Sequence, residues 1–171
     1  VYTSQYVDLD PGPAVSGYLS NSFLAKKNAA GNLVWATTAA VGHLHLDKFG
    51  HLYHYVEHTV NCYDLSGNRL YSKSFDGVNS ILQLETDSAG NIYASGSFID
   101  TLDVDWNSGI SKLIIPDGQE GIFIAKYNMN ANLLASNYAY GKDNFDLDNS
   151  ILIGDNGNIF LKGKEIDEGS I

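Results

Sequence analysis

FLAKKNAAGNLVWATTAAVG (Phe23–Gly42) and FIAKYNMNANLLASNYAYG (Phe123–Gly141) are two copies of one unit set a hundred positions apart. A shorter copy, TVNCYDLSGNRLYSKSF (Thr59–Phe75), lies between them. Each copy has an apolar run, a turn and a second run, so the unit carries its own reversal of direction. Repetition of such a unit is the mark of a modular array. The turn is Gly31-Asn32 in the first copy and Gly67-Asn68 in the middle one. Gly tolerates positive φ, and Asn or Asp bonds its own backbone. Ala131 replaces the glycine in the last copy, which predicts a different turn type there.

A second signal joins the first. Gly50-His51-Leu52-Tyr53, Gly90-Asn91-Ile92-Tyr93 and Gly157-Asn158-Ile159-Phe160 each follow an Asp, namely Asp47, Asp87 and Asp155. The flanking segments, such as Ile81-Leu82-Gln83-Leu84, read as strands, so these are hairpins. Together the two signals give a four-stranded unit: Ile81–Thr86, Asn91–Phe98, Ile122–Tyr127 and Leu133–Ala139. The preceding unit is Val41–Leu46, Leu52–Val56, Thr59–Tyr63 and Arg69–Phe75. Val1-Tyr2-Thr3-Ser4 aligns with Ile92-Tyr93-Ala94-Ser95, and a further unit begins by Ser150–Ile153 and Asn158–Lys162. Successive four-stranded antiparallel units of about 40 residues or more predict an all-β chain of β-propeller blades. A β-sandwich also has short strands, but gives no reason for the self-match. The expected division is an incomplete blade over 1–42, a blade over 43–77, a blade over 78–141 with a long insertion at 100–120, and the start of another over 142–171. About three units do not close a ring, for which four are needed. The expectation is a segment of a longer propeller chain, or sheet edges covered by a protein partner.

At these residues the chain resembles the bacterial SBBP repeat, a β-propeller repeat common in large secreted proteins of the Bacteroidetes. The resemblance is carried by Asn91 to Phe98, Asp103-Val104-Asp105, Gly121 to Tyr127 and Asn132-Leu133-Leu134. In the first unit Asp8 to Pro13 and Gly31 to Ala36 carry it. The resemblance implies a propeller fold and an extracellular or cell-surface location. It implies little about function.

Composition narrows the partners. The net charge is −10, with ten Lys and Arg and no basic run, which argues against a nucleic-acid partner. No apolar stretch approaches the roughly 20 residues of a membrane-spanning helix. Val1 opens on strand-like sequence, and no signal peptide is read in this segment. The single cysteine, Cys62, aligns with Lys26 and Lys126 and rules out an intrachain disulfide.

All five histidines lie between His43 and His58. His43 and His45 share a strand face and would ligate a metal if a third group converged, but they align with Gln83 and Glu85, so that face is also simply polar. Asp8-Leu9-Asp10 and Asp103-Val104-Asp105 recur in equivalent loops. Their oxygens suit calcium, or cap turns. No resident cofactor is expected otherwise. Phosphate-loop, dinucleotide-binding and nucleophile-elbow motifs are absent. The insertion carries Trp106, Leu113, Ile114 and Ile115, which predict either a contact surface or an extra hairpin folded over its own blade. The expected function is a non-enzymatic, extracytoplasmic module for protein–protein interaction or scaffolding. The alternative is a carbohydrate-binding or carbohydrate-cleaving propeller with its site at the channel mouth.

Overall fold

The computed structural model describes residues 6–9, 18–20, 22–141, 145–154 and 158–165. Among them every regular element is a strand. β1 (Tyr6–Asp8) pairs with β2 (Tyr18–Ser20), and β3 (Phe23–Lys27) with β4 (Leu33–Thr38). β5 (His43–Leu46), β6 (Leu52–Val56), β7 (Thr59–Tyr63) and β8 (Arg69–Ser74) form a four-stranded antiparallel meander. β9 (Asp76–Thr86), β10 (Ile92–Asp103), β12 (Glu120–Tyr127) and β13 (Leu133–Gly141) form the next, while β11 (Lys112–Ile114) pairs with the far end of β10. β14 (Phe145–Ile153) and β15 (Ile159–Glu165) make a further hairpin. The protein is therefore all-β, built from propeller-like blades that do not close into a ring among the described residues.

The hairpins within the blades repeat one turn, written in side-chain hydrogen bonds. Asp87 Oδ1 accepts the backbone N–H groups of Ala89 and Asn91, both at 2.9 Å. Asp47, Asp64, Asn28 and Asn128 each accept the corresponding pair of N–H groups at 2.8 to 3.0 Å. The side chain thus satisfies donors that a tight reversal would strand, the mechanism of an Asx turn. Three residues on, Gly31, Gly50, Gly67 and Gly90 have φ between 83° and 89°. Ala131 adopts φ 61° and keeps the same bonds, with Asn128 N–H donating to Asn132 O at 2.9 Å. The expected change of turn type does not occur. Its buried methyl group packs into the core, which offsets the left-handed strain of about 1–2 kcal/mol. At the last hairpin, Gly154 N–H donates to Asn158 O at 2.8 Å, so Gly154 holds the place that Asp87 holds elsewhere. Asp155 lies outside the described residues.

The two four-stranded sheets share one core. Tyr53, Tyr55, Val60 and Cys62 from β6 and β7 face Phe98, Phe123, Ala125 and Tyr127 from β10 and β12. On β12 the burial alternates strictly, so Phe123, Ala125 and Tyr127 point in while Ile122, Ile124 and Lys126 point to the opposite face. Phe75, between β8 and β9, sits against Trp106, Phe123 and Tyr127 at ring separations of 5.3, 5.1 and 6.4 Å. Burying one such aromatic stabilises the fold by about 2–3 kcal/mol. β9 starts five residues before the expected Ile81, and β10 runs five beyond Phe98. Their extensions flank the insertion and carry its hairpin.

β5, β9 and β14 are the first strands of successive units. His45 Nε2 lies 2.8 Å from Thr86 Oγ1, which joins β5 to β9. The Gln83 carboxamide bonds both backbone groups of Ile151, accepting from N–H at 2.6 Å and donating to C=O at 3.1 Å, which joins β9 to β14.

Candidate functional site

β5, β9 and β14 carry a chain of polar contacts. His45 Nδ1 is 3.7 Å from Glu85 Oε2, and Gln83 Nε2 donates to Glu85 Oε1 at 3.1 Å while also donating to Ile151 O. The alignment of His45 with Glu85 is confirmed by register, because His45 opposes Tyr53 and Glu85 opposes Tyr93. His43 stacks on Tyr55, with ring centroids 5.3 Å apart. The other histidines go elsewhere. His51 Nδ1 lies 2.8 Å from Asp47 Oδ2, completing that Asx turn. His54 is buried in β6, and burial pushes its pKa down against a backbone hydrogen bond at Ala40. Among the described residues no three His, Cys, Asp or Glu side chains are grouped to hold a metal ion.

The acidic loop is a turn structure. Asp103 Oδ1 accepts the backbone N–H groups of Asp105 and Ser111, each at 3.0 Å, and Asp105 Oδ1 accepts that of Asn107 at 2.9 Å. A Cβ at Gly109 would overlap the Asp105 carboxylate, so that glycine makes room for it. Asp8 ends β1, and Asp10 lies outside the described residues.

The insertion folds back over its own blade. Trp106, Leu113 and Ile115 are 6%, 7% and 4% exposed, whereas Ile114 is 62% exposed. Pairing of β11 with β10 points alternate residues inward, so Leu113 and Ile115 enter the core and Ile114 faces out. Trp106 stacks on Tyr127 at 3.7 Å and 5° between planes, and Tyr127 donates its hydroxyl to Val104 O at 2.8 Å. Lys73 on β8 donates to Trp106 O at 3.1 Å, tying the preceding blade to the insertion. Of the expected contact residues, Ile114 alone remains on the surface; the other three are packing residues.

Ionisable groups are held in fixed states by this packing. Burial pushes the Cys62 thiol up to about 11, against the Tyr71 hydroxyl beside it, which favours the thiolate. Burial also raises Tyr53 and Tyr71 above the ordinary phenol range, reinforced by the neighbouring thiol. Burial alone would raise Asp87. The Asn91 side chain and backbone, the Ala89 N–H and the Tyr93 hydroxyl outweigh it and hold the carboxyl at about 2. Lys126 Nζ lies 3.5 Å from Asp87 and 4.8 Å from the Tyr93 ring centroid.

The feature left open is a face. On the β9–β13 sheet, Tyr93, Ser95, Ile122, Ile124, Lys126 and Asn137 lie on the side turned away from β5–β8. By register this face corresponds to Tyr53, Tyr55, Val60 and Cys62, which are buried between the two sheets. Here Ile122, Ile124 and Lys126 are half-buried, and β14–β15 meets the face through Ile151 at Gln83 and Ile159 near Tyr93 and Lys126. A cavity of about 180 Å³ opens among Ser95, Ile122, Ile124 and Tyr138, and another of about 290 Å³ lies between Tyr93, Lys126 and Ile159. In the sequence Gln83 marks only polarity, and its part in joining β9 to β14 goes unread. The one signal for it is its position on the first strand of its unit, in register with His43. No protein-family model, curated protein or solved structure matches the chain.

Proposed function

We propose that the chain is a non-enzymatic propeller module whose function is association, with further sheets of the same kind packing on its exposed blade face. The observation that supports this reading is the open face around Ile122, Ile124 and Lys126. Its counterpart one blade earlier is a buried sheet-to-sheet interface. The repeat builds the same surface twice, and among the described residues one of the two remains partly uncovered. The carboxylates of Asp47, Asp64, Asp87 and Asp103 accept backbone donors in turns, which favours a structural over a catalytic role for them. An extracytoplasmic setting is part of the proposal and rests on the resemblance of the repeat. No helix among the described residues is long and apolar enough to cross a membrane.

The test is the native mass of the protein isolated from its source, beside its intact mass, with a broad glycan array run in parallel. A native complex heavier than the intact chain, and no glycan hit, is the expected result. A protein that migrates at its intact mass and binds a glycan sinks the reading in favour of a carbohydrate site.

A further inference from the structure

A seat for a neighbouring hairpin recurs along the chain. Lys26 on β3 opposes Trp35 on β4, and both reach the next blade. Lys26 Nζ donates to Leu65 O at 2.7 Å, and Trp35 Nε1 donates to the same oxygen at 3.0 Å. Leu65 lies in the turn that the Asp64 carboxylate closes. Two side chains of one blade thus hold one main-chain carbonyl of the next. β7 and β8 repeat the pair as Cys62 opposite Tyr71. There the seat is apolar: Cys62 is buried in the core that also holds Ala131 of the Asn128 turn, and Tyr71 packs against that core. β12 and β13 repeat the pair as Lys126 opposite Ala135.

This last seat is open among the described residues. Lys126 and Ala135 line the cavity of about 290 Å³, together with Tyr93, Ser136, Asn137 and Ile159. The described contacts of Lys126 Nζ are Asp87 Oδ2 at 3.5 Å and the Tyr93 ring, neither of them a carbonyl from a neighbouring blade. β14–β15 reaches the cavity through Ile159, the first residue of β15, and Glu165 lies at the far end of that strand. Residues 155–157 lie outside the described residues. By register they correspond to 48–50, and a Cβ at Gly50 would touch the Leu65 side chain, whose carbonyl still goes to Lys26.

We propose that this seat takes a hairpin turn from a blade of a partner chain, an Asx turn that offers Lys126 a main-chain carbonyl. This rests on the association reading above and names the contact that makes it. The chemistry selects the occupant. Lys126 is half-buried, so its ammonium needs acceptors. A carbonyl supplies one without setting a second carboxylate beside Asp87. Ala135 stands where Trp35 stands, so the seat lacks the indole that lies 2.7 Å from a Cβ at Gly67. It therefore admits a turn with a side chain at that position, such as the Asn128 turn with Ala131. The contact is continuous with one already formed, because Ile159 of β15 lines the same cavity.

The test compares the protein isolated from its source with the 171-residue chain alone, by brief acetylation of amines and peptide mass mapping. Lys26, bonded to Leu65 O, is the reference for a held amine, and exposed Lys112 for a free one. Lys126 should be acetylated at least tenfold less in the isolated protein than in the chain alone. A photo-reactive lysine analogue at position 126, which keeps the stem and the ammonium, then identifies the occupant in the native assembly. The expected adduct joins it to an Asx turn on another polypeptide. Equal acetylation of Lys126 inside a native complex heavier than its intact chain overturns the seat and leaves the association reading standing. So does an adduct in such a complex to any segment other than an Asx turn, or to a turn of the same polypeptide. A native mass equal to the intact mass overturns both.

Discussion

At the scale of the residue, the turn glycines separate two costs that are usually confounded. Gly31 and Gly67 share φ 86°, but a Cβ at Gly31 meets nothing within 4 Å, whereas at Gly67 it would stand 2.7 Å from the Trp35 ring. Gly31→Ala should cost about 1 kcal/mol for the left-handed backbone alone, and Gly67→Ala about twice that or more. Urea denaturation midpoints check this, and equal losses would mean that Trp35 moves aside freely. Asp87 makes a second test. Its folded pKa is about 2 and its ordinary value is 3.8, so its stabilising contribution is fully present above pH 4 and is lost as pH falls toward 2. Asp87→Ala should lose about 2 kcal/mol at pH 7, the worth of hydrogen bonds to a charged acceptor. Thermal unfolding of both proteins should converge near pH 2. A gap that persists there would assign the loss to packing instead of charge. Asp87→Asn should lose less, because Asn28 and Asn128 already make the same two Oδ1 bonds.

At the scale of the element, the insertion shows how far the chain could be read unaided. Hairpins, strand order and the turn residues were legible because each is local: Asp87 and Asn91 are four apart and bond directly. The extension of β9 was not, since Asp76-Gly77-Val78-Asn79 has the composition of a turn and becomes strand by pairing with β10. The fate of Trp106 was not legible either, because its partners Phe75 and Tyr127 are distant in sequence. The alternation of Leu113, Ile114 and Ile115 did hold the clue that one of the three faces out. Trp106 stacks fully but leaves its buried Nε1 without a hydrogen-bond partner among the described residues. Trp106→Ala should therefore cost about 3–5 kcal/mol. Trp106→Phe should cost much less, since it keeps an aromatic ring and removes an unsatisfied donor. Comparing the two by chemical denaturation decides the matter; similar large losses would mean that the indole's shape, not its burial, holds the insertion.

At the scale of the whole molecule, neighbouring blades are joined differently from the strands within them. Inside a blade the bonds are main-chain ladders. Between β9 and β14 the described link is the Gln83 carboxamide, which pairs with Ile151 much as another strand would. Gln83→Ala should leave the β5–β8 and β9–β13 sheets intact and loosen β14–β15. Amide exchange at Ile151 should quicken about tenfold, the equivalent of about 1.4 kcal/mol, while exchange in β10 and β12 stays unchanged. Uniform quickening would mean that the blades unfold as one unit. The carboxamide also acts mechanically, as a rivet between plates. A load drawn between β14–β15 and the β9–β13 sheet bears on that one carboxamide, so β14–β15 should part first, while the β5–β8 and β9–β13 sheets, fused by their common core, stay together.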